Sequence, residues 1–447
     1  MIRDLLRSGF VRQGTQTAAT RVILMGLMVV SSIVIARGLG PEQRGVFGLA
    51  VSLVAVAVQF GHLGLPAANT YFVARRRERL GAIVGNSALC AAAFAIAATP
   101  ILLFVAPKLR SLDALHLPVL VGVAAMVVAQ VILLLQQSVL IGLLRLWPVN
   151  LSDLVLRVVQ LAGMFWLWHS GHASAVTFTW LVAGTTALAA IALGVIIAIS
   201  ERPLRPTISR PLLGEQFAYG VRSWVACFAS MLAMRIPVFA VERFDGTVST
   251  GHFVQSLSIV EAMLIVPVAL TTVLMPRLAS TTEPNERRRK SRLALAGMVG
   301  VTIVLAAIAA ITAPLLIPLL FGEEFRPSIA MLWAMLPGAV LLGLTGVVQN
   351  HLAASGLPWS ATLPPALAAV ATLTACILLG ARGPVALGVA FSIGTLVMFV
   401  VAILVARRHH AGELAGLAGG GDDRTGDRAG ARTDDSTNDQ RTRTLFP

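Results

Sequence analysis

Apolar runs of about 20 residues, enough to cross roughly 30 Å of hydrocarbon as a helix, recur along this chain from residue 17 to residue 406, with short polar breaks between them. Twelve such runs can be drawn, at 17–37, 45–65, 82–106, 117–140, 149–169, 174–198, 217–241, 252–274, 294–320, 330–352, 361–380 and 384–406. The pattern predicts an all-α integral membrane protein with twelve transmembrane helices. Beyond the last run, residues 409–447 carry glycines, mixed charge and few large apolar groups, which predicts a disordered tail. Residues 1–16 hold three arginines and no apolar core, so the first run is expected to direct its own insertion without a cleaved leader. Composition agrees with the pattern, at 56% hydrophobic and 13% charged residues, far from the balance of a soluble domain.

The net charge of +14 is explained by where the basic residues fall. Nineteen of the 35 lysines and arginines lie in loops and short flanks on the side of the N-terminus, and seven lie in loops on the other side. An excess of basic residues marks the cytoplasmic side. Both ends are therefore expected in the cytoplasm of a cell that holds the chain in its inner (plasma) membrane, and no nucleic-acid partner is expected. Cys90, Cys227 and Cys376 all fall within runs without CxxC or His spacing, so they read as lipid-facing or core thiols. No Walker A, HExxH or GxSxG sequence is present, and neither an enzyme activity nor a cofactor or metal is expected.

The runs also repeat. Gly40, Gly45 and Phe47 map onto Gly246, Gly251 and Phe253 at an offset of 206 residues. The cluster Arg75-Arg76-Arg77 maps onto Arg287-Arg288-Arg289 at an offset of 212, as Trp147 does onto Trp359 and Gly171 onto Gly383. Two constant offsets, related by one six-residue insertion, make residues 1–200 and 214–408 two copies of a six-helix unit joined by a linker at 201–213. Six crossings per copy give both the same orientation. Two parallel six-helix bundles with a cavity between them are the architecture of a transporter.

Particular segments resemble a known family. "IARGLGPEQRGVFGLAVSLVAVAVQFGHLGLPAANTYFVA" (35–74), "GHFVQSLSIVEAMLIVPVALTTVLMPRLAS" (251–280) and "PLLIPLLFGEEFRPSIAMLWAMLPG" (314–338) resemble segments of bacterial polysaccharide flippases. These form the Wzx-like branch of the multidrug/oligosaccharidyl-lipid/polysaccharide superfamily, of which the drug exporters called MATE are another branch. Ala36, Arg37, Leu39, Gly40, Pro41, Glu42 and Gly45 follow the family pattern, while Arg44 stands where the family favours an aromatic residue. In the seventh run the family reads R-I-D and this chain reads Arg235-Ile236-Pro237, so Arg235 must find its compensation elsewhere. The resemblance implies a carrier that moves a polyprenyl-diphosphate-linked oligosaccharide, a cell-surface polysaccharide precursor, from the inner to the outer leaflet by alternating access.

Charges inside the runs are the candidates for the site. Arg21, Arg157, Arg222 and Arg235 would together cost on the order of 10 kcal/mol if all faced lipid at mid-membrane. Asp153 lies four residues before Arg157, a spacing for a structural ion pair. Arg21 and Arg222 lie near the ends of their runs and can snorkel or face a ligand. Arg235 is deeper and is expected to face a wet cavity between the halves. Glu261 is its natural counter-charge, or alternatively the group that binds H+ or Na+ during transport. Gln59, Gln255, Gln349 and Asn350, with other amides inside the runs, suit sugar hydroxyls. Guanidinium groups bind diphosphate oxygens through paired charge-assisted bonds while staying ionised, which makes Arg235, Arg21 and Arg222 the expected contacts of the lipid-linked head group.

Two neighbouring readings use the same fold. A drug or metabolite cation antiporter would prefer acids in its cavity, and the arginines outnumber the acids within the runs. A lipid II flippase shares the diphosphate chemistry, but that group usually has more crossings. A membrane-embedded glycan polymerase needs a large outer loop, and the loops here are short. Glycan assembly enzymes are natural partners of such a carrier.

Overall fold

Where the hydropathy pattern predicts twelve crossings, the described residues form ten helices long and apolar enough to cross a membrane, because two of them cross twice. The computed structural model describes residues 9–201, 203–279, 284–354 and 359–419. Gly9–Gly61 is one helical run bent at Gly40, whose φ of 66° and ψ of 175° lie outside the helical region. Arg210–Ala279 is likewise bent at Gly246, at φ 79° and ψ −178°. A positive φ of this kind is open to glycine and strained for other residues. Each bend turns a helix back through the membrane without spending residues on a loop.

Counting arms separately, the crossings are α1 (9–39), α2 (41–75), α3 (80–105), α4 (Leu117–Gly142), α5 (Leu146–His169), α6 (Ala175–Ser200), α7 (210–245), α8 (247–279), α9 (Pro284–Phe321), α10 (Ser328–Ala354), α11 (Leu363–Leu379) and α12 (Pro384–Gly419). Within α2 the helix breaks at residues 62–64, where Leu63 and Gly64 have positive φ, and resumes as Leu65–Arg75. Among the described residues there are no strands, and the chain forms two parallel six-helix bundles, as expected.

The repeat is visible in the backbone. Gly40 and Gly246 share one conformation, and Gly171 and Gly383 both have positive φ, 75° and 94°. Trp147 and Trp359 are both exposed, each beside the start of a crossing helix, where an indole reaches the membrane–water boundary. The tail beyond residue 419 lies outside the described residues.

Contacts between the bundles differ on the two sides. On the side opposite the termini the bundles share one apolar core, in which Phe47 and Leu49 of α2 cluster with Val238, Val241, Phe253 and Leu257 of α7 and α8. There the backbones touch. A Cβ on Gly45 would overlap the Thr247 carbonyl oxygen, and one on Gly251 the Pro41 carbonyl oxygen. Arg37 reaches across, its Nε donating to the carbonyl of Leu320 at 2.8 Å.

On the side of the termini, the first turns of α7 dock on the first bundle. Gln216, fully buried, donates through Nε2 to Asn69 at 2.8 Å and accepts from Asn86 at 2.9 Å. Gly64 and Gly220 pack backbone to backbone. Arg76 pairs with Glu215 nearby, and Glu201 takes Arg145 at 2.6 Å and Arg77 at 3.1 Å.

Candidate functional site

A cavity of about 620 Å³ lies between the two bundles. From the first bundle α1, α2, α4, α5 and α6 line it, and from the second α7, α8, α9 and α10. Most of the lining is apolar, as membrane helices must be, but helical spacing brings the polar residues of two of them onto the cavity face. On α8, Ser258 and Glu261 line the cavity three residues apart, and Gln255, a further three residues back on the same side of the helix, is fully buried beside them. On α5, Asp153, Arg157 and Gln160 do the same at intervals of four and three.

Arg235 and Glu261 meet in this cavity, Nη2 to Oε1 at 2.7 Å. Both side chains are mostly buried, at 15% and 28% exposure, so the pair is screened less than a surface bridge. The Nε of Arg235 is buried without a partner. The ion pair therefore lies on the wall of the cavity between the bundles. Glu261 supplies the compensation that the missing acid next to Ile236 does not. Counted from the bend at Gly246, Arg235 lies about 16 Å along α7 at 1.5 Å per residue, near the middle of a membrane.

Asp153 and Arg157 share the same cavity. Asp153 accepts a hydrogen bond from Gln137 of α4 at 2.7 Å. Arg157 donates to Gln160 at 3.4 Å, and Gln160 donates to Thr185 of α6 at 3.3 Å. A chain of amide, acid and guanidinium groups therefore lines the first-bundle wall.

Arg44, Gln160 and Ser258 line the cavity and were missed by sequence reasoning. Arg44, 5% exposed, sits in the first turn of α2 and reaches the cavity. Its Nε donates to Gln255 Oε1 at 3.3 Å and its Nη2 to Ser258 Oγ at 2.8 Å. Gln255, itself fully buried, donates onward to Ser32 of α1 at 3.1 Å. The signal was present as the departure from an aromatic residue at this position. Ser258 could have been found from its three-residue spacing between Gln255 and Glu261.

Other expected residues lie elsewhere. The Gln59 side chain meets His62 at 3.2 Å and its carbonyl accepts from Trp224 at 2.7 Å, at the seam between α2 and α7. Gln349 is on α10 but does not line the cavity. The side chains of Arg21, Arg222 and Asn350 lie outside the described residues. Three arginines against two acids leave the lining with one net positive charge, enclosed by apolar walls that strengthen it.

Comparison with known proteins bears on what such a cavity serves. A family model described as polysaccharide biosynthesis protein matches residues 10–282. No curated protein sequence matches the chain. An inward-facing multidrug resistance MATE family transporter of the MOP superfamily is 14% identical with a TM-score of 0.72, covering 88% of this chain and 98% of that one. The lipid II flippase MurJ in an inward closed conformation is 13% identical with a TM-score of 0.68, covering 89% and 87%. A MOP superfamily transporter from Pyrococcus furiosus, described by the reverse polarity of its binding pocket, is 12% identical with a TM-score of 0.58, covering 90% and 95%. At these identities the likeness shows the fold.

Proposed function

The chain belongs to the polysaccharide biosynthesis protein family, a multi-pass membrane transporter of the MOP superfamily, and from that premise we propose that it flips a polyprenyl-diphosphate-linked oligosaccharide from the inner to the outer leaflet. The observation that carries this reading is the charge of the cavity. A cation antiporter needs a chamber that attracts cations, whereas Arg44, Arg157 and Arg235 outnumber Asp153 and Glu261. A diphosphate brings the missing negative charge, and guanidinium groups accept it through paired bonds without changing protonation. The amides of Gln130, Gln137 and Gln160, all on the lining, offer donors and acceptors to sugar hydroxyls. The apolar tail of such a substrate can stay in the bilayer, so only the polar head needs shelter from hydrocarbon.

In this reading the termini and the basic loops face the cytoplasm, by the asymmetry of lysine and arginine. The shared core and the glycine contacts then close the outer face, leaving the head group to enter from within. The bundles 1–200 and 214–408 are the bodies that rock, with the 201–213 linker between them. Outward movement of a negatively charged head is favoured by a negative interior, by about 2.3 kcal/mol per charge per 100 mV. Glu261, held by Arg235, is the group to which H+ or Na+ would bind if transport is coupled.

The test is reconstitution of the full chain in vesicles containing a polyprenyl-diphosphate oligosaccharide labelled on its sugar. A membrane-impermeant quencher should reach label from the inner leaflet faster than in protein-free vesicles. If the labelled lipid crosses no faster while a lipophilic cation is carried, the antiporter reading replaces this one.

A further inference from the structure

Arg44 occupies two structures at once. It offers a charge to the cavity, and it ties the bundles together, because it stands on α2 of the first bundle while both its acceptors, Gln255 and Ser258, stand on α8 of the second. The next residue, Gly45, makes the backbone contact with Thr247 that closes the face opposite the termini. The same contact is completed by Gly251, four residues before Gln255. Separating the bundles on that face therefore requires Arg44 to leave Gln255 and Ser258.

The acceptors are an amide oxygen and a hydroxyl, both neutral. The ionised guanidinium already makes charge-assisted bonds to these two acceptors, but a phosphate oxygen also brings the opposite charge, which neither neutral acceptor supplies to a guanidinium that is only 5% exposed. A phosphate that takes the Nε–Nη2 edge of the guanidinium competes with the α8 acceptors for the same N–H groups. We infer that Arg44 is the residue through which occupation of the cavity releases the closed face: an anionic head group draws its guanidinium from Gln255 and Ser258, and the link between α2 and α8 opens. This rests on the anion-binding reading above. An aromatic residue at this position would pack the closed face but could not exchange one acceptor for another, so the substitution of arginine here gives this chain a ligand-dependent latch.

Linkage makes the inference testable, because a ligand that must break the latch binds more tightly once the latch is gone. The full chain in lipid nanodiscs, with its three cysteines replaced by alanine, is spin-labelled at E42C and R326C, both exposed on that face. Inorganic diphosphate is the probe, its binding is measured by calorimetry, and the label separation by pulsed electron resonance. In the otherwise unchanged chain, diphosphate should lengthen the separation. Gln255→Leu with Ser258→Ala should show the long separation without diphosphate and bind it about 100-fold more tightly, the lower end of what two hydrogen bonds from a charged guanidinium are worth when they no longer have to be broken. Arg44→Ala should show the long separation with and without diphosphate. Diphosphate that binds but leaves the separation of the unchanged chain short, or a short separation or unchanged affinity in the α8 double variant, would overturn the latch and leave the anion reading standing. Absence of diphosphate binding to the unchanged chain would overturn the anion reading and the latch with it. Either variant suffices should the other fail to fold.

Discussion

Removing the negative partner of Arg235 should strengthen anion binding, although it breaks the ion pair that joins α7 to α8 on the cavity wall. In the resting cavity Glu261 lies 2.7 Å from the Arg235 guanidinium. A phosphate on the far side of that guanidinium would stand about 8 Å from the carboxylate, and at an effective dielectric of about 20 their repulsion is about 2 kcal/mol. Glu261→Gln removes this repulsion and keeps an amide oxygen for the arginine to meet, so diphosphate should bind about 30-fold more tightly. Arg235→Ala removes a contact charge at about 4 Å, worth about 4 kcal/mol on the same scale, and also leaves Glu261 facing the ligand. Binding should fall by up to about 1,000-fold. The double variant removes one charge of each sign and should lie between the unchanged chain and Arg235→Ala. The assay is calorimetric titration of the detergent-solubilised full chain with inorganic diphosphate at two salt concentrations. The order Glu261→Gln, unchanged, double variant, Arg235→Ala is the content of the prediction. If Glu261→Gln binds more weakly than the unchanged chain, or Arg235→Ala matches it within threefold, the anion is not held by this guanidinium.

Two further predictions concern the frame. Gln216→Leu strands Asn69 Oδ1 and one of the two Asn86 Nδ2 hydrogens, the other staying on the Ser209 carbonyl, and should lower stability by about 2–4 kcal/mol, read as earlier thermal aggregation; adding Asn86→Leu should cost less than the sum of the single changes. For topology, R77C and R326C stand in loops on opposite sides of the bundles, so an impermeant thiol reagent added to intact cells should label R326C and reach R77C only after lysis; the reverse pattern would invert the assigned orientation.

The crossings were legible in the sequence because hydrocarbon demands continuous apolar length, and that demand does not depend on tertiary contacts. The bends at Gly40 and Gly246 were legible only as repeat positions. A hydropathy profile places residues 38–44 in a loop between runs, whereas the chain turns on one glycine and starts α2 at once. That difference hid Arg44. A residue taken for part of an outer loop is in the first turn of a crossing helix, and its side chain falls between the bundles. Arg235 and Glu261 could be named because charge inside an apolar run is costly unless it has a partner. Glutamines carry no such penalty, so nothing in the sequence separated Gln255, which holds Arg44, from Gln59, which faces the seam with Trp224.

A cavity in a membrane must keep its cations ionised before the substrate arrives, and an empty arginine cluster would otherwise repel itself and the surrounding hydrocarbon. The structure meets this by giving each guanidinium an interim acceptor. Gln255 and Ser258 hold Arg44, Glu261 holds Arg235 and Gln160 holds Arg157. Two of the three sets of acceptors belong to a single face of α8, and that helix also forms half of the closed contact through Gly251. A ligand that displaces these acceptors therefore changes the forces on a helix that forms part of the closed contact. In the proposed latch, binding and gating are joined by shared hydrogen-bond donors, with no need for a longer path through the bundles.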